Sequence, residues 1–347
     1  MNLNIIGNGF DLFHGLPSSY YYFGCYLIKN DPGFYEELAK MYNLKYAIFH
    51  RTYPDFEYDY VIENIFWSDF EKHLGSVDEE FILNTHDYDL GLENDDPITL
   101  DMVEDLAAES LKKAFVHWIS DTLDKEKNYK IIRSKMNNSP KSIQFNKDDR
   151  FLVFNYTHTL QKIYGISDYK IFYVHGECTG DEDDELVVGH GDLERITELK
   201  EIIKGYEKDF NFTQKYRNKI DEHKCLLRYI QRLKKDVESC KMMCNYFYNS
   251  FPTAPETITV YGMSLGEVDL PYLKDLRSKW PNAHWHFSYY SNNDRQRVED
   301  VVSSYLELSS TEFDVFELQN DLAEDIQECI IMEQNISTYA TASNSFT

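Results

Sequence analysis

Polar side chains that could take part in a reaction follow four short apolar runs of the chain. They are Asn8, Asn155, His175 and Ser264. In open α/β sheets, ligands bind in the crevice outside the carboxyl ends of the strands. A histidine can serve there as a general base, and an asparagine can orient a water or a sugar hydroxyl. The pattern predicts one site at one edge of a sheet if the four strands are neighbours.

The first run leads into IIGNGFDLFHGLPSSYYYF, residues 5–23, where Gly7 and Gly9 are followed by Gly15. This is neither G-x-G-x-x-G nor a Walker loop, which ends in Gly-Lys-Ser/Thr. A tight turn and a phosphate cradle are therefore equal interpretations of the glycines. Pro17 can open a helix and the two serines behind it can cap one, which favours a ligand role.

Glu71 lies in WSDFEKHLG, residues 67–75, on an otherwise apolar helix face. A buried glutamate has to be paired or functional. Two interpretations stay open here, a half-exposed residue at the boundary of the face and a catalytic carboxylate.

The histidines after two apolar runs, His175 and His190, could be structural hydrogen-bonding groups or a base and its partner. Two histidines in strand-end loops also make a metal site conceivable. However, the chain has no His-x-x-x-His pair of the helical zinc type and no cysteine cluster with zinc spacing, so we expect no metal.

Two cysteines, Cys240 and Cys244, continue an apolar seam that runs from Leu226 to Phe247 in steps of three and four. Free cysteine in such a position behaves as a small hydrophobic residue. The seam predicts a helical hairpin or a packed insertion, and it would suit a homo-oligomer contact.

The elements that must position these residues alternate as strand, turn and helix, which predicts an α/β fold with a mostly parallel, Rossmann-like sheet. KIFYVHGE, ELVVGHGD, HWHFSYY and DVFEL are interpreted as strands, whereas helices dominate up to about residue 138, most clearly at Leu100–Leu123. The predicted organisation is a nucleotide-binding domain and large helical insertions. The domain comprises 1–191 and 250–333, the insertions are about 20–140 and 192–249, and 334–347 is a flexible tail.

Composition narrows the function classes. The 347 residues carry 35 Lys and Arg against 60 Asp and Glu, a net charge of -25, which argues against gripping a nucleic-acid backbone. No apolar run reaches the ~20 residues of a membrane helix, and no secretory signal opens the chain. Six scattered cysteines form no Cys-x-x-Cys pair. These features predict a cytoplasmic protein with reduced thiols and no membrane association.

Five segments taken in order resemble the AbiH family of bacterial abortive-infection proteins. They are IIGNGFDLFHGLPSSYYYF, WSDFEKHLG, FLVFNYTHTL, VHGE with VVGHGD, and VYGMSLGEVD. The resemblance implies an anti-phage protein that responds to a phage-derived trigger. Met263 stands where the family commonly has histidine, which weakens any role for that position.

The same segments are more distantly similar to sirtuins. The matching positions are Gly7, Gly9, Gly15, Leu16 and Pro17, then Asn155, Tyr156, Thr157 and Leu160, then His175 and Gly176, then Gly262, Ser264 and Leu265. This resemblance implies a sirtuin-like crevice that binds NAD as a substrate, with no prosthetic group. It implies that the chain hydrolyses the N-glycosidic bond of NAD to nicotinamide and ADP-ribose.

The resemblance also assigns roles. His175 would be the base, Asn155 would orient water or ribose, and Asp11 and Glu71 would stabilise positive charge on the ribose. The predicted nucleotide contacts are Gly7, Asn8, Gly9, Phe10, Gly15, Pro17, Thr157, Gly176, Gly262, Ser264 and Leu265, with a diphosphate on the amides around Gly7, Asn8 and Gly9.

Two departures from sirtuins keep alternatives open. Thr157 replaces an aspartate that helps to hold nicotinamide, and no zinc ribbon is present, which argues against a deacetylase. The alternatives are an enzyme that cleaves another nucleotide or nucleic acid, and a non-catalytic nucleotide sensor or partner-binding defence module.

Overall fold

The computed structural model describes residues 1–44, 48–51, 56–59, 66, 70–77, 100–136, 143–181, 183–208 and 214–334. The chain divides into two compact units. Unit 1 comprises Met1–Ser19, Val116–Val187 and Asp236–Ile336, and unit 2 comprises Tyr20–Phe115, Val188–Lys235 and Ser337–Thr347. The predicted division into a nucleotide-binding domain and two insertions stays a prediction.

Unit 1 is built on a six-stranded sheet in which every pairing is parallel. Its strands are β1 (Asn2–Ile6), β4 (Arg150–Val153), β5 (Ile171–Tyr173), β6 (Thr257–Tyr261), β7 (His284–Tyr289) and β8 (Phe313–Glu317). Across the sheet the order is β5-β4-β1-β6-β7-β8. This is the doubly wound order 3-2-1-4-5-6, which reverses between β1 and β6. The predicted Rossmann-like α/β fold with helical insertions is confirmed.

Helices flank these strands. In unit 1 they are α1 (Asn8–Phe13), α6 (Glu126–Met136), α7 (Thr159–Tyr164), α10 (Val237–Asn249), α11 (Leu270–Lys279), α12 (Asn292–Ser304) and α13 (Ala323–Gln334). The predicted helix Leu100–Leu123 is present as α5 (Leu100–Trp118), which continues into a π-helical turn, Ile119–Leu123.

The two faces of the sheet differ. One face is apolar along its whole length and packs on α10, α11 and α12, with Ile5, Trp285 and Leu276 among its buried residues. The other face is apolar along β4, where Phe151 belongs to a second cluster, and at the carboxyl end of β1, where Ile6 belongs to the same cluster. Toward the amino ends of β1, β6 and β7 that face is polar, although both faces of a parallel sheet are usually apolar.

Unit 2 contains an antiparallel hairpin that the sequence did not predict. Strands β2 (Ile48–Arg51) and β3 (Phe56–Asp59) pair within a region interpreted as helical, so that interpretation is corrected there. The helices of this unit are α2 (Tyr20–Asn30), α3 (Pro32–Met41), α4 (Phe70–His73), α8 (Leu193–Lys208) and α9 (Gln214–Arg232).

One further expectation needs correction. ELVVGHGD forms no strand, because the described residues there contribute only a single bridge, between His190 and Lys234. The seam between Leu226 and Phe247 is divided between α9 and α10, and the Asp236 carboxylate caps the start of α10 by accepting from the Ser239 amide. The predicted helical hairpin or packed insertion stays a prediction. Burial of Cys240 and Cys244 is confirmed.

Some expectations lie outside the described residues. They include the start of the WSDFEKHLG helix and nearly all of the predicted flexible tail, 334–347, of which only the first residue is described. Within the described part of the chain, no helix combines the length and apolar character needed to cross a membrane.

Candidate functional site

The first feature of the carboxyl edge is a backbone contact between the ends of β1 and β6. The Gly7 amide donates to the Tyr261 carbonyl at 2.8 Å, and the Gly9 amide donates to the Gly262 carbonyl at 2.7 Å. A Cβ on Gly262 would lie 2.2 Å from the Phe10 nitrogen, and its φ is +61°. The glycines are therefore required for close approach of the two turns.

This contact changes the expected role of the first turn. The amides of Gly7 and Gly9 already donate to protein carbonyls, so they are not available to a diphosphate in this conformation. The exposed Asn8 also has an internal partner, since its Nδ2 donates to the Ser18 carbonyl at 3.0 Å. Its side chain ties the turn to the segment ahead of α2.

Gly15 and Pro17 belong to that same segment. Gly15 has a φ of +78°, and a Cβ there would meet Ile326 of α13 at 2.6 Å. The helix that Pro17 was expected to open begins three residues later, at Tyr20. Gly15 therefore has a packing role and Pro17 is buried ahead of α2, and their predicted contact with a nucleotide stays a prediction.

Asp11, on α1, is a buried carboxylate at this edge, and only 1% of its surface is exposed. The hydroxyls of Thr157 and Thr159 each donate to it, at 2.6 Å to Oδ2 and 2.6 Å to Oδ1. Burial raises its pKa to about 6 and outweighs these hydrogen bonds, while the nearby Asp124 charge adds to the rise. A carboxylate that titrates near neutral pH is typical of functional sites.

Thr157 is explained by this contact. Thr157 is 6% exposed, and its hydroxyl donates to Asp11. An aspartate at this position would place two carboxylates next to each other, which is unfavourable. The departure from the sirtuin pattern at this position thus accompanies a carboxylate supplied from α1.

Asn155 is the second residue after the end of β4 and is 6% exposed. Among the described residues, neither its Nδ2 nor its Oδ1 has a hydrogen-bond partner. The amide nevertheless lies near enough to Asp11 to lower the pKa of that carboxyl slightly. A buried unsatisfied polar group costs about 1–3 kcal/mol, so this amide calls for a ligand or bound water.

His175 follows β5, the neighbour of β4, and is 2% exposed. Its ring centroid lies 5.3 Å from that of Phe154, 6.0 Å from Tyr272 and 6.4 Å from Tyr156. The following residue, Gly176, has a φ of +90°. The structure thus brings Asn155 and His175 to the ends of adjacent strands, as the sequence predicts.

The loop after β6 lies beside the point between β1 and β6 at which the strand order of the sheet reverses. The Gly262 amide donates to Ser288 Oγ at 2.7 Å, and the Ser264 carbonyl accepts from Arg297. Ser264 itself is exposed at the surface. Leu265 is buried with a φ of +53°, a left-handed conformation that is uncommon for leucine. Such strain persists where the surrounding structure enforces it, often at ligand sites.

A second polar cluster beside Asp11 was missed from the sequence. His158 Nδ1 donates to Asp124 Oδ2 at 2.5 Å, and its Nε2 donates to Glu177 Oε1 at 2.8 Å. The hydrogen bond to Asp124 raises the pKa of His158 to about 9, so the ring is doubly protonated at neutral pH. In turn, the hydrogen bond that His158 donates lowers the pKa of Asp124. Tyr129 also donates to Asp124.

Glu71 and His190 both lie in unit 2 and have structural partners. Glu71 Oε2 accepts from Lys235 Nζ at 2.8 Å, and its Oε1 accepts from the Tyr20 hydroxyl at 3.0 Å. His190 is buried and its Nε2 lies 2.8 Å from the Ile230 carbonyl. Glu71 is therefore a paired carboxylate, and its catalytic role stays a prediction.

Comparison with known proteins gives one assignment. No significant match was found among curated proteins or among solved structures. A family model described as bacteriophage abortive infection AbiH matches residues 3–289, which include the ends of β1, β4, β5 and β6. Membership gives the chain an anti-phage, abortive-infection role. The chain belongs to the AbiH family of bacteriophage abortive-infection proteins.

Proposed function

We propose that the protein binds NAD at the carboxyl edge of its sheet and, once triggered by phage, hydrolyses the bond between nicotinamide and ribose. NAD is the substrate, and no prosthetic group takes part. The observation that carries the proposal is the Asn155 amide, whose two polar atoms are buried without a partner among the described residues, beside a carboxylate with a pKa of about 6.

The topology supports a dinucleotide. The strand order reverses between β1 and β6, and in doubly wound sheets the dinucleotide lies across that point. Because the amides of Gly7 and Gly9 are engaged, phosphate contacts would come from the Ser264 hydroxyl and the rest of the loop that contains Gly262 and Leu265.

The chemistry follows from the side chains. The C1′–N bond breaks with its electron pair leaving on nicotinamide, whose ring becomes neutral, and an oxocarbenium-like ribose remains. Asp11 carries a negative charge above pH 6 and would stabilise that cation. Asn155 would orient the water, and His175 would accept the proton that the water releases as its oxygen bonds to C1′. Glu71 has no role here, because Lys235 and Tyr20 hold it.

The resting site is closed. Asp11, Asn155 and His175 are 1%, 6% and 2% exposed. NAD would reach them only after movement of a bordering loop, and the strained turn at Leu265 belongs to such a loop. A closed site suits an enzyme that must not degrade NAD before infection.

The test measures NAD, nicotinamide and ADP-ribose in phage-infected cells that produce the wild type, Asn155→Ala or His175→Ala. Loss of one oriented polar group in an active site lowers turnover by about 10²-fold or more, so both variants should leave NAD intact. Matched controls are Asn30→Ala, an exposed asparagine, and His223→Ala, both in unit 2. Unchanged NAD loss in Asn155→Ala, with normal protein levels, would overturn the proposal.

A non-catalytic sensor is the second candidate. The observation that favours it is that the Thr157 and Thr159 hydroxyls both donate to Asp11, so each oxygen of that carboxylate already has a hydrogen-bond partner. A sensor would bind NAD in calorimetry and lose that binding in Asn155→Ala, yet NAD would persist throughout infection. Running ATP and RNA beside NAD in the same product assay separates the third possibility, cleavage of another nucleotide.

A further inference from the structure

Three metal-ligating side chains meet on one face of β7 and β8. His284 and His286 are two residues apart on β7, and Asp314 lies on β8. The ligand atoms of these three residues all lie within 4.8 Å of one another. We propose that they form a binding site for a divalent transition-metal ion such as Zn²⁺, independent of the proposed NAD site.

Strand geometry explains why the three side chains converge. Residues two apart on a strand point to the same face, which places both imidazoles side by side with ring centroids 5.0 Å apart. His286 and Asp314 are direct partners in the parallel register of β7 and β8. The third ligand therefore comes from the adjacent strand at the same level of the sheet.

The distances suit a metal ion. His284 Nε2 lies 2.8 Å from Asp314 Oδ2, and His286 Nδ1 lies 3.9 Å from the same oxygen. With metal–ligand bonds of 2.0–2.2 Å, neighbouring ligand atoms of a tetrahedral zinc lie about 3.3 Å apart. Small rotamer changes would bring the three atoms to that spacing, and water would complete the coordination.

The surroundings are polar without another evident reason. A row in register crosses four strands on this face through Asn4, Thr259, His286 and Asp314. Asn4 is 3% exposed, and its Nδ2 has no partner among the described residues. Central strands of parallel sheets are usually apolar on both faces, so the row indicates that polar groups or ions occupy this part of the molecule.

The donor set selects the ion class. Two imidazoles and one carboxylate suit Zn²⁺ and its neighbours in the first transition series, whereas Mg²⁺ and Ca²⁺ prefer oxygen ligands throughout. The side chains of His284, His286 and Asp314 are 38%, 36% and 70% exposed, so an ion can enter from solvent. The site lies toward the amino ends of the strands, away from Asn155 and His175.

The test uses the purified full-length chain, stripped with a chelator and titrated with Zn²⁺ in competition with a chromogenic chelator. Cys329, the one cysteine of the chain that is not buried, is replaced in a Cys329→Ser background to remove a competing thiol. We expect one Zn²⁺ per chain and a higher Tm with the ion. Changing even an outer-shell partner of a metal site costs 10–100-fold in affinity, so His286→Gln and Asp314→Asn should each lose about 100-fold or more.

Asp314→Asn should stay folded, because Asp314 is largely exposed and asparagine can still accept from His284, so a loss of binding in this variant does not reflect misfolding. His223→Gln, on α9, is the matched control and should bind Zn²⁺ like the parent. Binding weaker than about 1 mM in the parent, or undiminished binding in both ligand variants, would overturn the proposal.

Discussion

Two aspartates of unit 1, the buried Asp11 and the partly buried Asp124, are held by the same short segment in opposite ways. Asp11 accepts from the hydroxyls of Thr157 and Thr159, and Asp124 accepts from the ring of His158, which lies between them. The pKa of Asp11 is raised to about 6, whereas the pKa of Asp124 is lowered.

The difference shows how one turn can keep one carboxylate ionised and leave the other to titrate near neutral pH. Neutral hydroxyls only partly offset the loss of water around Asp11, so it titrates near physiological pH. The charged His158 keeps Asp124 ionised at neutral pH. Each prediction below tests one side of this contrast.

The largest expected effect is on activity. In infected cells, Asp11→Asn should lower NAD loss by about 10²-fold or more, because the charge that we propose stabilises the ribose cation is gone. The variant should not be less stable at neutral pH, since a desolvated charge is removed as well. NAD extraction and thermal unfolding measure the two effects.

Asp121→Asn is the control for that prediction, because Asp121 is exposed and pairs with Lys125 of the same surface. Its NAD loss should equal that of the wild type. A clear fall in Tm for Asp11→Asn would show that Asp11 is structural, like Asp124, and the contrast would fail.

The second effect is on stability. Asp124→Ala leaves the charged His158 without its main partner and removes the acceptor of the Tyr129 hydroxyl. Breaking a fully buried pair costs about 3–5 kcal/mol, and because the side chains of His158 and Asp124 are 19% and 12% exposed we expect about 2–3 kcal/mol, which urea unfolding measures. Asp121→Ala should cost less than about 1 kcal/mol, and an equally small cost for Asp124→Ala would contradict the structural role.

The third effect is a pH dependence. The pKa of His158 rises from 6.5 to about 9 on folding, so the stabilisation is complete below pH 6.5 and is lost as pH rises through 9. After allowance for partial exposure, we expect a loss of about 2 kcal/mol between pH 6.5 and pH 9.5. Asp11 adds little there, since its destabilising ionisation is half complete at pH 6 and nearly complete by about pH 7.

Urea unfolding at several pH values measures this slope. His158→Gln should abolish it, and His223→Gln should retain it. A slope that persists in His158→Gln would assign the effect to another group.

The smallest effect concerns Thr157→Val, which keeps the shape of the side chain but removes one donor to Asp11. A hydrogen bond to a charged group contributes about 1.5–3 kcal/mol, so the variant should lose up to that much stability at pH 7.5. The loss should shrink at pH 5, where Asp11 is largely protonated. A cost that is equal at both pH values would mean that Asp11 does not change its protonation state between them.

The sheet was predictable because its strands are short apolar runs ended by glycine or polar residues, as at Ile6 and Phe154. The placement of Asn155 and His175 after two strand ends followed from the same pattern, whereas the adjacency of those two strands was only a condition of the predicted site and came from the fold. The hairpin of β2 and β3 was not predicted, because short apolar stretches fit a helix or a strand equally well.

Pairings between distant parts of the chain were not predictable. His158 and Asp124 are 34 residues apart and lie in different elements, so no local spacing indicates their contact. The separation of His284 and His286 does fit one strand face, but Asp314 joins them only through the pairing of β7 with β8. The sequence alone does not explain the threonine at position 157, because its hydrogen bond to Asp11 is known only from the fold.

The contact of Gly7 and Gly9 with Gly262 has a consequence for genetic screens. A screen for lost phage resistance will recover substitutions at these glycines, since any Cβ there collides with backbone and prevents folding. Such hits would look like active-site hits on survival plates. Protein abundance, measured for every variant, would separate the two groups: glycine variants should disappear from the cell, whereas Asn155→Ala should accumulate normally.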